Sequence, residues 1–276
     1  MAERIPSNLE QTVRKRFTEL FEKDKKIETV YKKIRQGRAT YADASLFSKE
    51  IGTILSDVFK TVELNPANIA ELTDYIIENA LTQNIALSNL VCESVQSTLN
   101  EAAGVGLNPV QPEVNKGKIK GIRNLVEEAE DENAIRIALD KPVITNVMQN
   151  VDDWVKTNID FQADAGLQPI IVRTWSGSYP SHDTRHTDWC EELAGTWNYG
   201  DEPEDVYKRH EGCTCTVEYF PNKKAKGRIT ALAKGEKDTE GVLWNTGGSK
   251  KQQAIIEQRR NITGKNEAHE ILSSAW

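Results

Sequence analysis

Apolar residues recur at helical spacing through most of the first 165 positions of the chain. Leu9, Val13, Phe17, Leu20 and Phe21 line one face of an opening helix, and Ser7 with Glu10 three residues on has the form of a capping box. Ile27, Val30, Tyr31 and Ile34 mark a second helix from about Lys25 to Arg35, broken at Gly37. The period resumes from Tyr41 to Leu64 with Leu46, Ile51, Ile54, Leu55, Val58 and Phe59, and Asn65-Pro66 reads as its end. Ile69, Leu72, Ile76, Ile77, Ala80, Leu87, Val91, Val95 and Leu99 then predict one long helix or two broken ones over 67–103. Residues 1–103 are thus read as a helical body. Cys92 falls on its apolar stripe and reads as a small buried hydrophobe.

Two glycines and two prolines within residues 104–112 give the strongest linker signal in the chain, assigned to 104–118. Residues 119–165 read as a helical connector, with one stretch from Ile119 to Leu139 and another from Val143 to Phe161. The pattern changes at Pro169 to Trp175, which is β-branched and bounded by Ser-Gly-Ser, as a strand entering a turn would be. A Cys/His module over 166–232 follows, with a second strand expected from Thr214 to Phe220. Residues 233–276 read as a tail with a short helix from about Lys250 to Arg260. The expected fold class is α+β, mainly α: a helical N-terminal body with a small β-containing C-terminal Cys/His zinc-knuckle module.

Composition changes this picture little. A formal net charge of -7, with 28% charged residues, gives no bulk attraction to nucleic acid or anionic lipid. No apolar run approaches the roughly 18 residues a membrane span needs, and MAERIPSNLEQ lacks the apolar stretch of a secretory signal, so synthesis and folding in the cytoplasm are expected. The charge is uneven, however, because residues 1–38 hold eleven Lys/Arg against six Asp/Glu. Arg14, Lys15 and Arg16 are the candidates for contact with a partner or with DNA; the competing reading is a solvated helix face laced with i,i+4 pairs.

Three of the four cysteines and three of the four histidines fall between Ser181 and Tyr219. In a reducing compartment such clustering points to metal before disulfide. Zinc needs four N or S donors at tetrahedral corners, and two sequence-local groups let short turns fix that geometry. His210-x2-Cys213-x-Cys215 supplies one group, and the segment around Cys190 supplies the other across an intervening loop of twenty-two residues. The fourth ligand on that side is His186, His182 or water, with His186 nearest in sequence. Reduced, partly buried thiols without metal are the alternative, and a direct Cys213-Cys215 bridge would be strained. A metal in so small a module is structural, substituting for the core it cannot build. Trp189, Trp197, Tyr199, Tyr207 and Tyr219 in the same stretch read as packing around that minimal core.

TDWCEELAGTWNYGDEPEDVYKRHEGCTCTVEY resembles the C-terminal signature of phage minor head proteins, the minor-capsid, head-morphogenesis family related to the F protein of phage Mu. The matching positions are Trp189-Cys190, Leu193-Ala194-Gly195, Tyr199, and Arg209-His210-Glu211 through Cys213, Cys215, Thr216, Val217 and Tyr219. Asn158 to Phe161, Ala165 to Pro169 and Ile171 to Arg173 resemble the sequence preceding that signature, so the resemblance spans roughly residues 150–222. Thr187 stands where the family has its first cysteine, which leaves the fourth ligand open. The resemblance implies a low-copy, non-enzymatic virion protein of a phage or prophage, made in the bacterial host cytoplasm. It would sit near the portal protein and capsid components, with packaged DNA as a further partner and a role in head assembly or DNA ejection. The competing class is a metal-dependent nuclease or toxin-like domain built on His182-Asp183 and His186. No Walker-type loop, nucleophile elbow or H-E-x-x-H is present, and the module from Arg173 to Arg228 carries eight Lys/Arg against ten Asp/Glu, unlike a nucleic-acid clamp.

Overall fold

Capping chemistry sets where each helix starts. In the computed structural model, which describes residues 7–176, 189–223 and 226–227, α1 (Asn8–Lys23) begins where the Ser7 hydroxyl accepts from the Glu10 amide at 3.0 Å. Asp24 ends α1 and opens α2 (Lys25–Arg35), its carboxylate accepting from the Lys26 and Ile27 amides at 2.7 and 2.9 Å. Gly37 then turns the chain at a φ of 63°, a left-handed conformation that favours glycine. Helix α3 (Tyr41–Lys60) is shorter than its apolar period suggests. Asn65-Pro66 opens the next element instead of closing this one: Asn65 Oδ1 accepts from the Asn68 amide at 2.9 Å, and Pro66 occupies the first turn of α4 (Pro66–Glu71).

A π turn at Leu72–Ile76 joins α4 to α5 (Ile77–Ala103), which stops at Gly104 with a φ of 68°. An irregular stretch leads to α6 (Lys116–Glu127), α7 (Glu132–Ala138) and α8 (Lys141–Asp164), the last with Pro142 in its first turn. No helix among the described residues is long and apolar enough to cross a membrane.

Helices α3, α5 and α8 pack on one another to form the centre of the molecule. Phe47, Ile51, Leu55 and Phe59 of α3 meet Leu81, Val91 and Val95 of α5 and Val143, Val147, Val151 and Trp154 of α8, all at most 1% exposed. Helices α1 and α2 cover α3, and α6 and α7 cover the ends of α5 and α8. One polar layer crosses this core. Asn150 donates to Ser88 and to Asn89 Oδ1, at 3.1 and 2.8 Å, and Trp154 Nε1 donates to the same Asn89 oxygen at 2.7 Å. Such satisfied buried groups penalise any sliding of the helices, because a shifted register would leave them unpaired.

Close approach of α3 and α8 depends on Gly52, where an added Cβ would lie 2.9 Å from both Ile144 Cα and Val147 Cγ1. Gly52→Ala gains about 1 kcal/mol of helix propensity but forces two main helices apart, an overpacking cost of about 1–3 kcal/mol. A lower urea midpoint with an unchanged m-value is the expected result; an unchanged or raised midpoint would place the close contact elsewhere.

The sheet is antiparallel, in the order β2 (Gly195–Asn198), β1 (Ile170–Thr174), β3 (Thr216–Phe220). Ile171 pairs with Tyr219 and Trp197, and Arg173 with Val217 and Gly195. Ile171, Arg173, Val217 and Tyr219 are all buried, and β3 lies against α3 and α8. Val206, Tyr207, Val217, Tyr219 and Phe220 share one apolar cluster with the helices. Tyr219 is further fixed by Gln96, whose Nε2 donates to its hydroxyl and whose Oε1 accepts from Tyr41 at 2.6 Å. Glu218 accepts from the Ala42 amide at 3.2 Å at the start of α3.

The fold is therefore mainly helical with a small antiparallel sheet, as the sequence pattern predicts. The strand expected over Pro169 to Trp175 forms at Ile170–Thr174, and the one expected from Thr214 starts two residues later. Strand β2 was not expected. The short helix read from Lys250 to Arg260, and the tail around it, lie outside the described residues.

Candidate metal centre

Three segments converge beside the outer end of the sheet. Cys190 lies on a single helical turn at 189–192, which follows β1 in the chain. His210 and Cys213 flank a tight turn in which the Cys213 amide donates to the His210 carbonyl at 3.1 Å. Gly212 takes a φ of 73° there, and its amide donates to Thr145 Oγ1 of α8 at 3.0 Å. Cys215 comes one residue before β3.

The ligand atoms of Cys190, His210 and Cys213 all lie within 4.8 Å of one another. Cys190 Sγ stands 3.0 Å from His210 Nε2 and 3.8 Å from Cys213 Sγ. Cys215 joins the same buried sulfur cluster, in side-chain contact with both Cys213 and Cys190. All three thiols are at most 1% exposed, and Trp175 and Trp189 pack against them.

This donor set fits a metal ion. Two sulfurs bound at about 2.3 Å on tetrahedral corners stand about 3.8 Å apart, whereas a disulfide would bring them to about 2.05 Å. The described cysteines are all free. The imidazole is prepared as well, since Nδ1 donates to the Glu211 carbonyl at 2.9 Å and Nε2 thereby presents its lone pair to the sulfurs. Without a bound cation, the cluster is a poor home for thiolates. Burial pushes Cys190 up, the bond to Cys215 together with burial pushes Cys213 far up, and the same bond lowers Cys215. Nucleophilic use is thus disfavoured for two of the three, and a cation that displaces their protons relieves the cost.

Two buried arginines surround the cluster. Arg209 is clamped by Asp152 of α8 through both carboxylate oxygens, with Nη2 to Oδ1 at 2.8 Å, and the two side chains are 1% and 0% exposed. Its Nη1 donates to the carbonyl of Cys215 at 2.7 Å and reaches that of Cys213 at 3.4 Å. Gln149, one turn before Asp152, accepts from the Arg209 amide at 3.2 Å and donates to the Tyr207 carbonyl at 2.8 Å. Thr145, Gln149 and Asp152 therefore form a polar stripe at i, i+4 and i+7 on which the His210 to Cys215 turn is seated. Arg173 of β1 donates to the carbonyls of Val206 and Lys208 and directs Nη2 to Cys213 Sγ at 3.8 Å, with its guanidinium 5.4 Å from the Trp189 ring centroid.

Of the residues singled out from sequence, Cys190, His210 and Cys213 meet, and Cys215 adjoins them. His186, with His182 and Asp183 on which the nuclease alternative rests, lies outside the described residues. Arg14, Lys15 and Arg16 are not part of this centre; they lie on α1, where Arg16 pairs with Glu19 at 3.3 Å. Cys92 is fully buried in the helical core, as expected of a small hydrophobe. The reading of the sequence missed Arg173, Asp152, Gln149 and Thr145. Arg173 carried a usable signal: it stands two residues after Ile171 on the inward register of an apolar strand.

Compared with protein-family models, with curated proteins and with solved structures, the chain has no match. The resemblance to phage minor head proteins accordingly stands on the quoted residues.

Proposed function

We propose that the chain is a structural component of a phage or prophage head, of the minor-capsid type, whose Cys/His module is locked by a structural zinc ion held by Cys190, His210, Cys213 and Cys215. Soft thiolates with one imidazole suit zinc, and in this role the ion supplies a cross-link without any turnover. One observation carries the reading. Seven of the positions that match the minor-head signature, Cys190, Arg209, His210, Cys213, Cys215, Val217 and Tyr219, build the cluster, its arginine clamp and its anchor in the core. The signature thus corresponds to one physical unit, a rigid appendage seated on α8, and rigidity is what a docking part needs.

Two measurements test the proposal. Purified protein should contain about one zinc per chain by metal analysis, as a four-ligand structural site requires. Particles banded from an induced host carrying the gene should contain the chain at low copy by mass spectrometry. Its presence in the lysate but absence from the particles would overturn the virion role.

The basic segment supplies a further expectation. Lys26 and Lys33 reach inward to Glu50 and Asp43 of α3, whereas Lys15 and Arg16 are exposed on α1. If this face meets the portal protein or packaged DNA, reversing Arg14, Lys15 and Arg16 to glutamate should weaken association about tenfold at low salt, with the difference shrinking as salt rises. Equal recovery of parent and variant in a salt series would remove this surface from the proposal.

A further inference from the structure

Arg173 is an anomaly of the sheet. It lies on the central strand, 2% exposed, at an inward register position beside Val217 where the pattern calls for an apolar side chain. An unpaired buried guanidinium is costly, so this one should have an anionic partner. Among the described residues its Nη1 meets only neutral carbonyls, those of Val206 and Lys208, and its Nη2 meets Cys213 Sγ. Its Nε is buried without a hydrogen-bond partner, as is Nε1 of Trp175, which packs on the same sulfurs. The other buried cation, Arg209, takes both oxygens of the Asp152 carboxylate, which acts on Arg173 only through space.

Charge balance identifies the missing anion. Three thiolates around one divalent ion, with a neutral imidazole, leave a single net negative charge inside a dry site. A pair of thiolates would leave none, and Arg173 would then have only the Asp152 carboxylate that it shares with Arg209. We propose that Arg173 is the built-in counter-charge of a three-thiolate, one-imidazole centre, a positioning residue that holds the anionic cluster together and makes Cys215 a full ligand. The inference rests on the metal reading of the preceding section. Arg173 acts through the sulfurs: its N–H groups stabilise sulfur lone pairs, which raises the affinity of the thiolate set for a divalent ion and limits thiolate reactivity. The Trp189 ring lies over the guanidinium at 5.4 Å and packs against the sulfurs, which helps to exclude water from them.

The test uses the full chain with Arg173→Met, which keeps the stem and removes the charge, and Arg173→Lys, which keeps the charge and removes the fork. Zinc affinity is read by competition with a chromophoric chelator. Arg173→Met should bind zinc about ten- to hundred-fold more weakly than the parent, and Arg173→Lys should stay within about threefold of it. Cobalt-loaded protein provides a readout that looser folding alone would not mimic. The thiolate-to-cobalt charge-transfer band should move to lower energy in Arg173→Met and return towards the parent position in Arg173→Lys. Should Arg173→Met fail to fold, the lysine variant decides: parent-like affinity and band position uphold the counter-charge, and a loss of both overturns it. Equal losses in both variants would mean that the fork's grip on the Val206 and Lys208 carbonyls matters and the charge does not, which overturns the inference. Unchanged affinity in Arg173→Met overturns it too. A parent protein that takes up no zinc is a different result, since it removes the metal reading itself.

Discussion

If the centre holds zinc as proposed, its removal by a chelator or by Cys213→Ser is expected to release the segment from Cys190 to Phe220 from its fixed structure while α3, α5 and α8 stay folded. The magnitude follows from what holds each part. The three helices bury an extensive apolar cluster of their own, with Phe47, Ile51, Leu55 and Trp154 at most 1% exposed. The sheet has three short strands, and the turn from His210 to Cys215 offers little apolar surface beyond the sulfurs themselves. In small metal modules the ion supplies about 10–16 kcal/mol of apparent binding energy that is spent on folding. Here Val217, Tyr219 and Phe220 also anchor in the helical core, so the loss should be partial, with a lower thermal midpoint for the module and little loss of helix. Hydrogen exchange resolves the two parts: amides of 195–220 should exchange far faster after chelation, and those of α3 and α8 should keep their protection. Cys92→Ser is the control, because its thiol lies in the helical core away from the cluster and should leave zinc content unchanged. Protection of β3 that survives chelation would mean that packing alone holds the module and the ion adds nothing.

This division of labour explains what could be read from the sequence. Helices announce themselves through local periodicity and caps: Val13, Phe17 and Phe21 beneath a Ser7 cap, or Asp24 two and three residues before the amides of Lys26 and Ile27, need no knowledge of the rest of the chain. The end of α3 was misplaced because Asn65-Pro66 is equally suited to closing one helix and opening another, and only the Asn65 side chain on the Asn68 amide separates the two. Strand β2 was missed because Gly195–Asn198 alternates between half-buried and exposed positions and has no apolar repeat. The sulfur and imidazole donors were legible, since a cluster within one short segment is itself a signal. The residues that hold the donors in place were not. Asp152 sits among Val147, Val151 and Val155 on α8, and nothing near it in sequence reveals that an arginine from fifty-seven positions away completes its pair. Long-range charge pairing leaves no local periodicity, so a buried carboxylate looks like any polar interruption until the fold brings its partner.

Breaking that pair is expected to be the most damaging single change outside the ligands. Asp152 is fully buried, Arg209 is 1% exposed, and both carboxylate oxygens are engaged. Removing one partner of such a pair leaves an uncompensated charge in the interior, at a cost of about 3–5 kcal/mol. Asp152→Ala should therefore lower stability by about that amount. It should also weaken zinc binding, because Arg209 would leave the carbonyls of Cys215 and Cys213 in seeking water. Asp152→Asn keeps one acceptor and should fall between. The companion Asp152→Leu/Arg209→Met separates the two effects: an apolar replacement of both partners can recover much of the stability, since their desolvation cost disappears with them. It cannot restore the hydrogen bonds to the ligand-bearing turn, so zinc affinity should remain low while the denaturation midpoint rises. A double-mutant cycle on stability, set beside chelator competition on the same four proteins, measures both quantities. Recovery of zinc affinity in parallel with stability would show that Arg209 serves only as a partner to Asp152. Affinity that stays low in a restabilised fold would identify the arginine as the part that seats the ligand turn on α8.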